Sequence, residues 1–289
     1  MMTQNLNTIK VVECPRDAMQ GWPHFISTDK KIEYINQLLK VGFDTIDFGS
    51  FVSPMAIPQM ADTKDVINNL EVDETKTKLL AIIANERGAN DAVKFDKISY
   101  LGFPFSISET FQQRNTNSSF DESLKRVAAI QDLCLQNNKE LVVYISMGFG
   151  NPYGDEYNKE TVKQRAKQIE ELGVKIISIA DTVGLATANE VSSLMTEIIP
   201  LFKNIEIGVH LHSAPEHRVE KIAAAFNAGC RRFDSALKGI GGCPMAGNDL
   251  VGNMDTETML HYFSQTGEVL NFNEEALKQS GVMANDIFM

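Results

Sequence analysis

Two short motifs, far apart in the chain, carry side chains that could act on one substrate: Pro15-Arg16-Asp17 and His210-Leu211-His212. Each closes an apolar, β-prone run. Two histidines at i and i+2 on a strand point to the same face. With a carboxylate they suit a hard or borderline divalent cation that keeps open positions. The arginine beside Asp17 could hold an anionic or carbonyl oxygen. A third element, Gly239-Ile240-Gly241-Gly242-Cys243-Pro244, sets a cysteine in a glycine-rich loop. Such a loop can cradle phosphate, form a plain tight turn, or act as a flap carrying a thiol. An exposed thiol is a liability unless it is used, which favours the flap.

These residues need a scaffold that brings distant strand ends together. Hydrophobic periodicity predicts strands at 8–13, 43–48, 79–83, 97–101, 141–146, 174–179, 205–210 and 231–236. Helices are predicted at 28–41, 57–70, 86–93, 120–137, 161–172, 188–201, 216–228 and 256–263, with Gly42, Gly173 and Gly229 closing three of them. Strict alternation implies a parallel sheet. Eight βα units in this length favour a closed (β/α)₈ TIM barrel, whose strand C-termini share one mouth. The open doubly wound alternative lacks a GxGxxG after the first strand. The expectation is one α/β domain over 1–289, with the barrel at about 8–265. A short C-terminal helical extension at about 266–289 holds one further helix at 271–280.

Composition narrows the partners. The net charge of −11 disfavours nucleic acid, which needs a basic footprint. The longest apolar runs are too short to span a bilayer. Cys14, Cys134, Cys230 and Cys243 are widely spaced without a CxxC, and the first residues do not read as a signal peptide. The expectation is a cytoplasmic protein with free thiols.

Further polar residues gather at the predicted strand ends: Asp47 and Ser50, Tyr144 and Ser146, Asp181 and Thr182, and Asp234 with Ser235. In a barrel they face the mouth, where Gln20, Asp47, Ser50, Tyr144, Ser146, Asp181 and Thr182 are expected to bind substrate. A helix cap or loop hydrogen bond accounts equally well for Asp181, Asp234 and Ser146.

Together these motifs resemble the 3-hydroxy-3-methylglutaryl-CoA lyase family of the metal-dependent lyase and synthase barrels. The similarity rests on Val12-Glu13-Cys14-Pro15-Arg16-Asp17 with Gln20, on Ser50-Phe51-Val52-Ser53-Pro54 and Pro58-Gln59-Met60, and on Asn115-Thr116-Asn117. Asp181-Thr182-Val183-Gly184, Val209-His210-Leu211-His212, the cysteine loop and Gly252-Asn253 follow in the family's order. The resemblance implies a retro-Claisen cleavage to acetyl-CoA and acetoacetate. It assigns Asp17, His210, His212 and Asn253 to a divalent cation, Mg²⁺ or Mn²⁺. Arg16 would hold the thioester oxygen, His210 would relay the hydroxyl proton, and Cys243 would transfer a proton from its loop. Asn115 would contact the CoA portion of an acyl-CoA substrate, and a homodimer is implied.

Four departures stand near the motifs. Asp47 replaces the family's Glu, Ser213 replaces the Asp after HxH, and Gly21 replaces an Asn. One extra residue separates Cys243 from Asn253, which leaves Asn248 as the alternative ligand. Competing readings are a Claisen-type synthase, a 2-oxo-acid aldolase, or a barrel that binds acyl-CoA or metal without turnover. A biotin-enzyme carboxyltransferase is disfavoured, because no lysine ends the fifth strand.

Overall fold

The computed structural model describes residues 8–242 and 251–289. Among them, eight parallel strands close into a barrel in sequence order, the last pairing with the first. They are β1 (Lys10–Glu13), β2 (Thr45–Ser50), β3 (Lys78–Ile82), β4 (Ile98–Ser106), β5 (Glu140–Ser146), β6 (Ile176–Asp181), β7 (Glu206–Leu211) and β8 (Arg232–Ser235). The predicted TIM barrel is therefore the fold. Strands such as β5, with Val142, Val143 and Ile145, are apolar on both faces because both are covered.

The helices are α1 (Pro15–Gln20), α2 (Thr28–Leu39), α3 (Thr63–Asn68), α4 (Glu86–Ala92), α5 (Glu109–Thr116), α6 (Phe120–Gln136), α7 (Lys159–Glu171), α8 (Ala188–Ile198), α9 (Arg218–Asn227), α10 (Thr256–Gln265) and α11 (Glu274–Phe288). Local chemistry sets their starts. Ser119 with Glu122, and Thr187 with Glu190, form reciprocal capping boxes at α6 and α8. In α2, Lys31, Tyr34, Ile35 and Leu38 fall on one buried stripe. After α7 and α9 the chain turns through Gly173 (φ +90°) and Gly229 (φ +101°), angles that favour glycine. Among the described residues no helix is long and apolar enough to cross a membrane.

The short α1 was not expected, and four further elements differ from expectation. The predicted helix at 57–70 is a single 3₁₀ turn at Pro58–Met60 followed by the short α3. β4 runs on to Ser106 through Pro104; the β3 ladder ends at Gly102, so the missing N–H leaves no bond of that ladder unmade. The polar stretch after it folds as α5, capped by Ser108. The final helix is longer than 271–280 and runs to Phe288, whose ring meets Trp22 edge-on at 5.3 Å between centroids. The Gln37 amide of α2 donates to the Ala276 carbonyl of α11 at 3.2 Å.

Leu80, Tyr100, Val142, Tyr144 and Ile176 form an apolar cluster within the sheet. At the start of β8, Arg232 is wholly buried, with Nη1 3.2 Å from Glu206. Gly208 of β7 leaves room for it: a Cβ there would meet Arg232 Cβ, Cγ and Cδ, each at 3.0 Å.

Glu13 is a second buried charge-bearing residue. It accepts from the Leu237 amide at 2.8 Å, and its other oxygen lies 2.6 Å from Thr256 Oγ1. Thr256 Oγ1 also lies 2.9 Å from Ser235 Oγ. Burial pushes the Glu13 carboxyl up to about 8 against these hydrogen bonds. A protonated Glu13 can donate to Thr256, whose one hydroxyl proton then goes to Ser235. A raised carboxyl pKa means that folding binds a proton. The contribution is complete below the unfolded value of about 4.3 and is lost as pH rises to about 8. Glu13→Gln, neutral throughout, should therefore flatten the fall in stability between those limits. Melting temperatures across that range check this, and an unchanged slope would count against a neutral Glu13.

Candidate active site

The C-terminal ends of β1, β7 and β8 build one polar cluster. Pro15 takes the first turn of α1, where its missing N–H costs nothing, and the turn carries Arg16 and Asp17 inward from β1. Arg16 Nε lies 3.2 and 3.0 Å from the two Asp47 oxygens, and Nη2 also bonds Asp47. Arg16 Nη1 donates to Asp17 Oδ1 at 2.9 Å. Of the five N–H groups of a guanidinium, three are thus engaged and two remain. Burial disfavours the charge on Arg16, but Asp47 and Asp17 outweigh it and hold the group cationic. Burial likewise raises the carboxyls. At Asp47 it prevails over Arg16 and the pKa stands at about 6. At Asp17 the Arg16 charge prevails, helped by the nearby histidines and the Asn253 hydrogen bond, and it falls to about 2.

The histidines approach from β7 and the segment just after it. His210 Nδ1 lies 3.1 Å from Asp234 Oδ2, on the strand that pairs His210 with Asp234. His212 Nδ1 lies 2.9 Å from the Val251 carbonyl. A carbonyl only accepts, so His212 carries its proton on Nδ1, and the Asp234 carboxylate asks the same of His210. Both Nε2 atoms then present lone pairs, and they face each other at 3.2 Å. Asp17 completes the set: one ligating atom from each of Asp17, His210 and His212 lies within 4.8 Å of the others. Two opposed lone pairs beside a carboxylate repel one another unless a cation or proton sits between them. That donor set fits a divalent cation. Burial, then His210, push His212 down to about 4, so it is neutral as a ligand must be. At His210 burial is outweighed by Asp234, and the pKa is raised.

Gln20 and Asn253 steady Asp17. Gln20 Nε2 donates to Asp17 Oδ1 at 2.7 Å, and Asn253 Nδ2 donates to Asp17 Oδ2 at 2.7 Å. Asn253 Nδ2 also lies 2.8 Å from the Ile240 carbonyl, so both its partners are acceptors and its oxygen is turned elsewhere. Gly241 (φ +101°) passes against this point, where a Cβ would meet Asn253 Nδ2 at 2.6 Å and the Asp17 carbonyl at 2.7 Å.

Above the cluster lies a cavity of about 290 Å³. Arg16, Asp17, Gln20, Asn115, Tyr144, Ser146, Thr182, His210 and His212 all line it. The other predicted residues stand off it. Asp47 backs Arg16 from below. Ser50 lines a neighbouring pocket and bonds the Val52 amide at 3.2 Å. Asp181 is buried against Lys221 Nζ at 3.0 Å and accepts from the Ala186 amide at 3.2 Å, a structural tie across the loop after β6. Asn253 lies beneath the lining. Cys243 and the alternative Asn248 lie outside the described residues.

Sequence reasoning under-read one residue and missed two. Asp234 was visible only as a strand end; the β7–β8 register gives it to His210. Lys221, on α9, was one more helical lysine until Asp181 claimed it. Cys14 read as an ordinary thiol, yet it sits next to His210 and Asp234.

Comparison with known proteins follows the same lines. The HMGL-like family model matches residues 9–281. Hydroxymethylglutaryl-CoA lyase YngG of Bacillus subtilis is 31% identical over 270 residues, 93% of this chain and 89% of that protein. The cytoplasmic 3-hydroxy-3-methylglutaryl-CoA lyase of Rattus norvegicus is 30% identical over 260 residues, 90% of this chain and 75% of that protein. The solved structure of an HMG-CoA lyase from Acinetobacter baumannii, in complex with coenzyme A and 3-methylmalate, superposes with a TM-score of 0.91 at 30% identity. That match covers 99% of this chain and 93% of the other.

Proposed function

Because this chain belongs to the HMGL-like family, whose matched relatives are carbon–carbon lyases, we propose that it cleaves 3-hydroxy-3-methylglutaryl-CoA, or a close 3-hydroxyacyl-CoA, to acetyl-CoA and acetoacetate. One observation carries the reading: Arg16 opens onto the same cavity as the Asp17–His210–His212 set. Mg²⁺ or Mn²⁺ would be held by Asp17, His210 and His212, with Asn253 as a further ligand once its amide, whose nitrogen faces Asp17, turns its oxygen to the ion. A cation bound there supplies Lewis acidity to the substrate hydroxyl and carbonyl oxygens.

The chain's own residues supply the rest. His210 takes the hydroxyl proton at Nε2, and its Nδ1–H bond to Asp234 steadies the imidazolium that forms. Because Nε2 has one lone pair, His210 would give it either to the cation or to the proton, and Asp17 and His212 would hold the cation where His210 acts as the base. As the alkoxide collapses to a ketone, the carbon–carbon bond breaks and its electron pair moves onto the thioester as an enolate. The two free N–H groups of Arg16 stabilise that oxygen, and Asp47 fixes the plane from which they point. Cys243 then protonates the enolate carbon. Tyr144, Ser146 and Thr182 shape the acyl pocket, and Asn115, beside Arg114, lies on the path of the CoA.

Incubation of the purified chain with Mg²⁺ or Mn²⁺ and the thioester should release acetoacetate. No product with either ion rejects the substrate, and turnover of acetyl-CoA with a 2-oxo acid would favour a synthase instead. Cys243→Ala should lose most of that activity; a wild-type rate removes the thiol from the mechanism.

A further inference from the structure

Behind the cation set lies a second group of ligating atoms, which shares His210 with it and adds a thiol, Cys14, that the proposed chemistry does not use. Cys14, His210 and Asp234 each offer one such atom within 4.8 Å of the other two. All three residues are held deep in the barrel: Cys14 is 1% exposed, the Asp234 side chain is fully buried, and His210 keeps 12% of its side chain open toward the cavity. Cys14 Sγ has only a long contact, 3.7 Å, to the Val12 carbonyl. Asp234 uses Oδ2 on His210, while its buried Oδ1 has no hydrogen-bond partner among the described residues. A buried carboxylate oxygen left without a donor is costly, and a cation would satisfy it.

We propose that Cys14, His210 and Asp234 form an inhibitory site for a thiophilic divalent ion, Zn²⁺ first. Thiolate, imidazole and carboxylate together are zinc ligands, and a thiolate selects against Mg²⁺. Binding releases the Cys14 thiol proton to solvent and leaves the sulfur as thiolate. His210 is the shared element. Nδ1 is its nitrogen nearest Asp234, and Nε2 is the one facing His212. A neutral imidazole has a single lone pair. When Nδ1 ligates the lower ion, the ring proton moves to Nε2, which can then neither hold the upper cation nor accept a proton. The two sites exclude each other through one tautomer. Of the three residues only His210 lines the cavity, so an ion enters from there as its ring turns aside.

The site itself is independent of the proposed reaction, whereas the antagonism rests on the reading of Asp17, His210 and His212 as a cation site. Co²⁺ added to the full chain reports the first by absorbance, because a cobalt–thiolate bond gives a strong near-ultraviolet charge-transfer band. The band should survive Cys243→Ser and disappear in Cys14→Ser. A band absent from wild type, or one lost only with Cys243, overturns the site. X-ray absorption of the zinc-loaded Cys243→Ser chain gives a check that needs no substitution at Cys14, and should show one sulfur at about 2.3 Å. A spectrum with only nitrogen and oxygen ligands overturns it equally. For the antagonism, Zn²⁺ should displace bound Mn²⁺, read as free Mn²⁺ by electron paramagnetic resonance. Cys14→Ser should need on the order of tenfold more Zn²⁺ for the same displacement, the scale on which lost support weakens a metal site. Equal displacement from both chains would place the zinc on Asp17 and His212 and overturn the antagonism, even where the cobalt band stands.

Discussion

Arg16→Met should lower kcat by about two to three powers of ten while changing KM for the thioester far less. The reason is where the charge develops. A ground-state thioester oxygen is a weak acceptor, whereas the enolate oxygen carries most of a charge, so the two free N–H groups of Arg16 matter chiefly in the transition state. Methionine keeps the bulk and the apolar stem, so the pocket should keep its shape. It also leaves Asp47 and Asp17 without their shared partner. Asp47, already pushed up to about 6, can take a proton and stay buried, which spares the fold a lone internal charge. Arg16→Lys separates charge from geometry. A lysine has one ammonium and cannot reproduce the side-on fork to Asp47, so it too should lose most of the rate. Steady-state kinetics of both variants, beside their melting curves, check this. Near-wild-type kcat in Arg16→Met would remove the guanidinium from the reaction.

Asp17→Ala should abolish most cation-dependent turnover, again by about two powers of ten or more at subsaturating Mn²⁺. It removes the only anionic member of the Asp17–His210–His212 set. It also removes the acceptor that orients Gln20 and Asn253 and one of the two carboxylates that pair with Arg16. The loss should therefore appear first as weaker Mn²⁺ binding, measurable without any substrate by electron paramagnetic resonance. Raising Mn²⁺ should recover part of the rate, since the two imidazoles remain. Wild-type Mn²⁺ affinity in this variant would move the cation elsewhere.

The barrel was legible because its signals are local and repeated: periodicity changes from two to 3.6, and glycine closes several helices. Arg16, Asp17, His210 and His212 were legible because they lie at the end of an apolar strand or within four residues of it, and a barrel brings such ends together. What stayed hidden needs partners distant in sequence. Asp234 belongs to His210 through the pairing of two strands, which no single segment records. Asp181 looked like a residue of the mouth, but a lysine 40 positions on captures it. α1 is six residues long, below the length at which helical spacing can be read. α5 is mostly polar, so its periodicity is weak, and its Ser108 cap was the clearer sign.

The fit between Gly208 and Arg232 makes the two positions one packing unit. A methyl group at 208 would press on three carbons of the arginine stem, each at 3.0 Å, and one of these, Cβ, is fixed to the backbone of β8. The stem must then give by a few tenths of an ångström inside a closed barrel. The size tolerated at 208 is thus set by the side chain at 232, and the two sites should be non-additive in a double-mutant cycle.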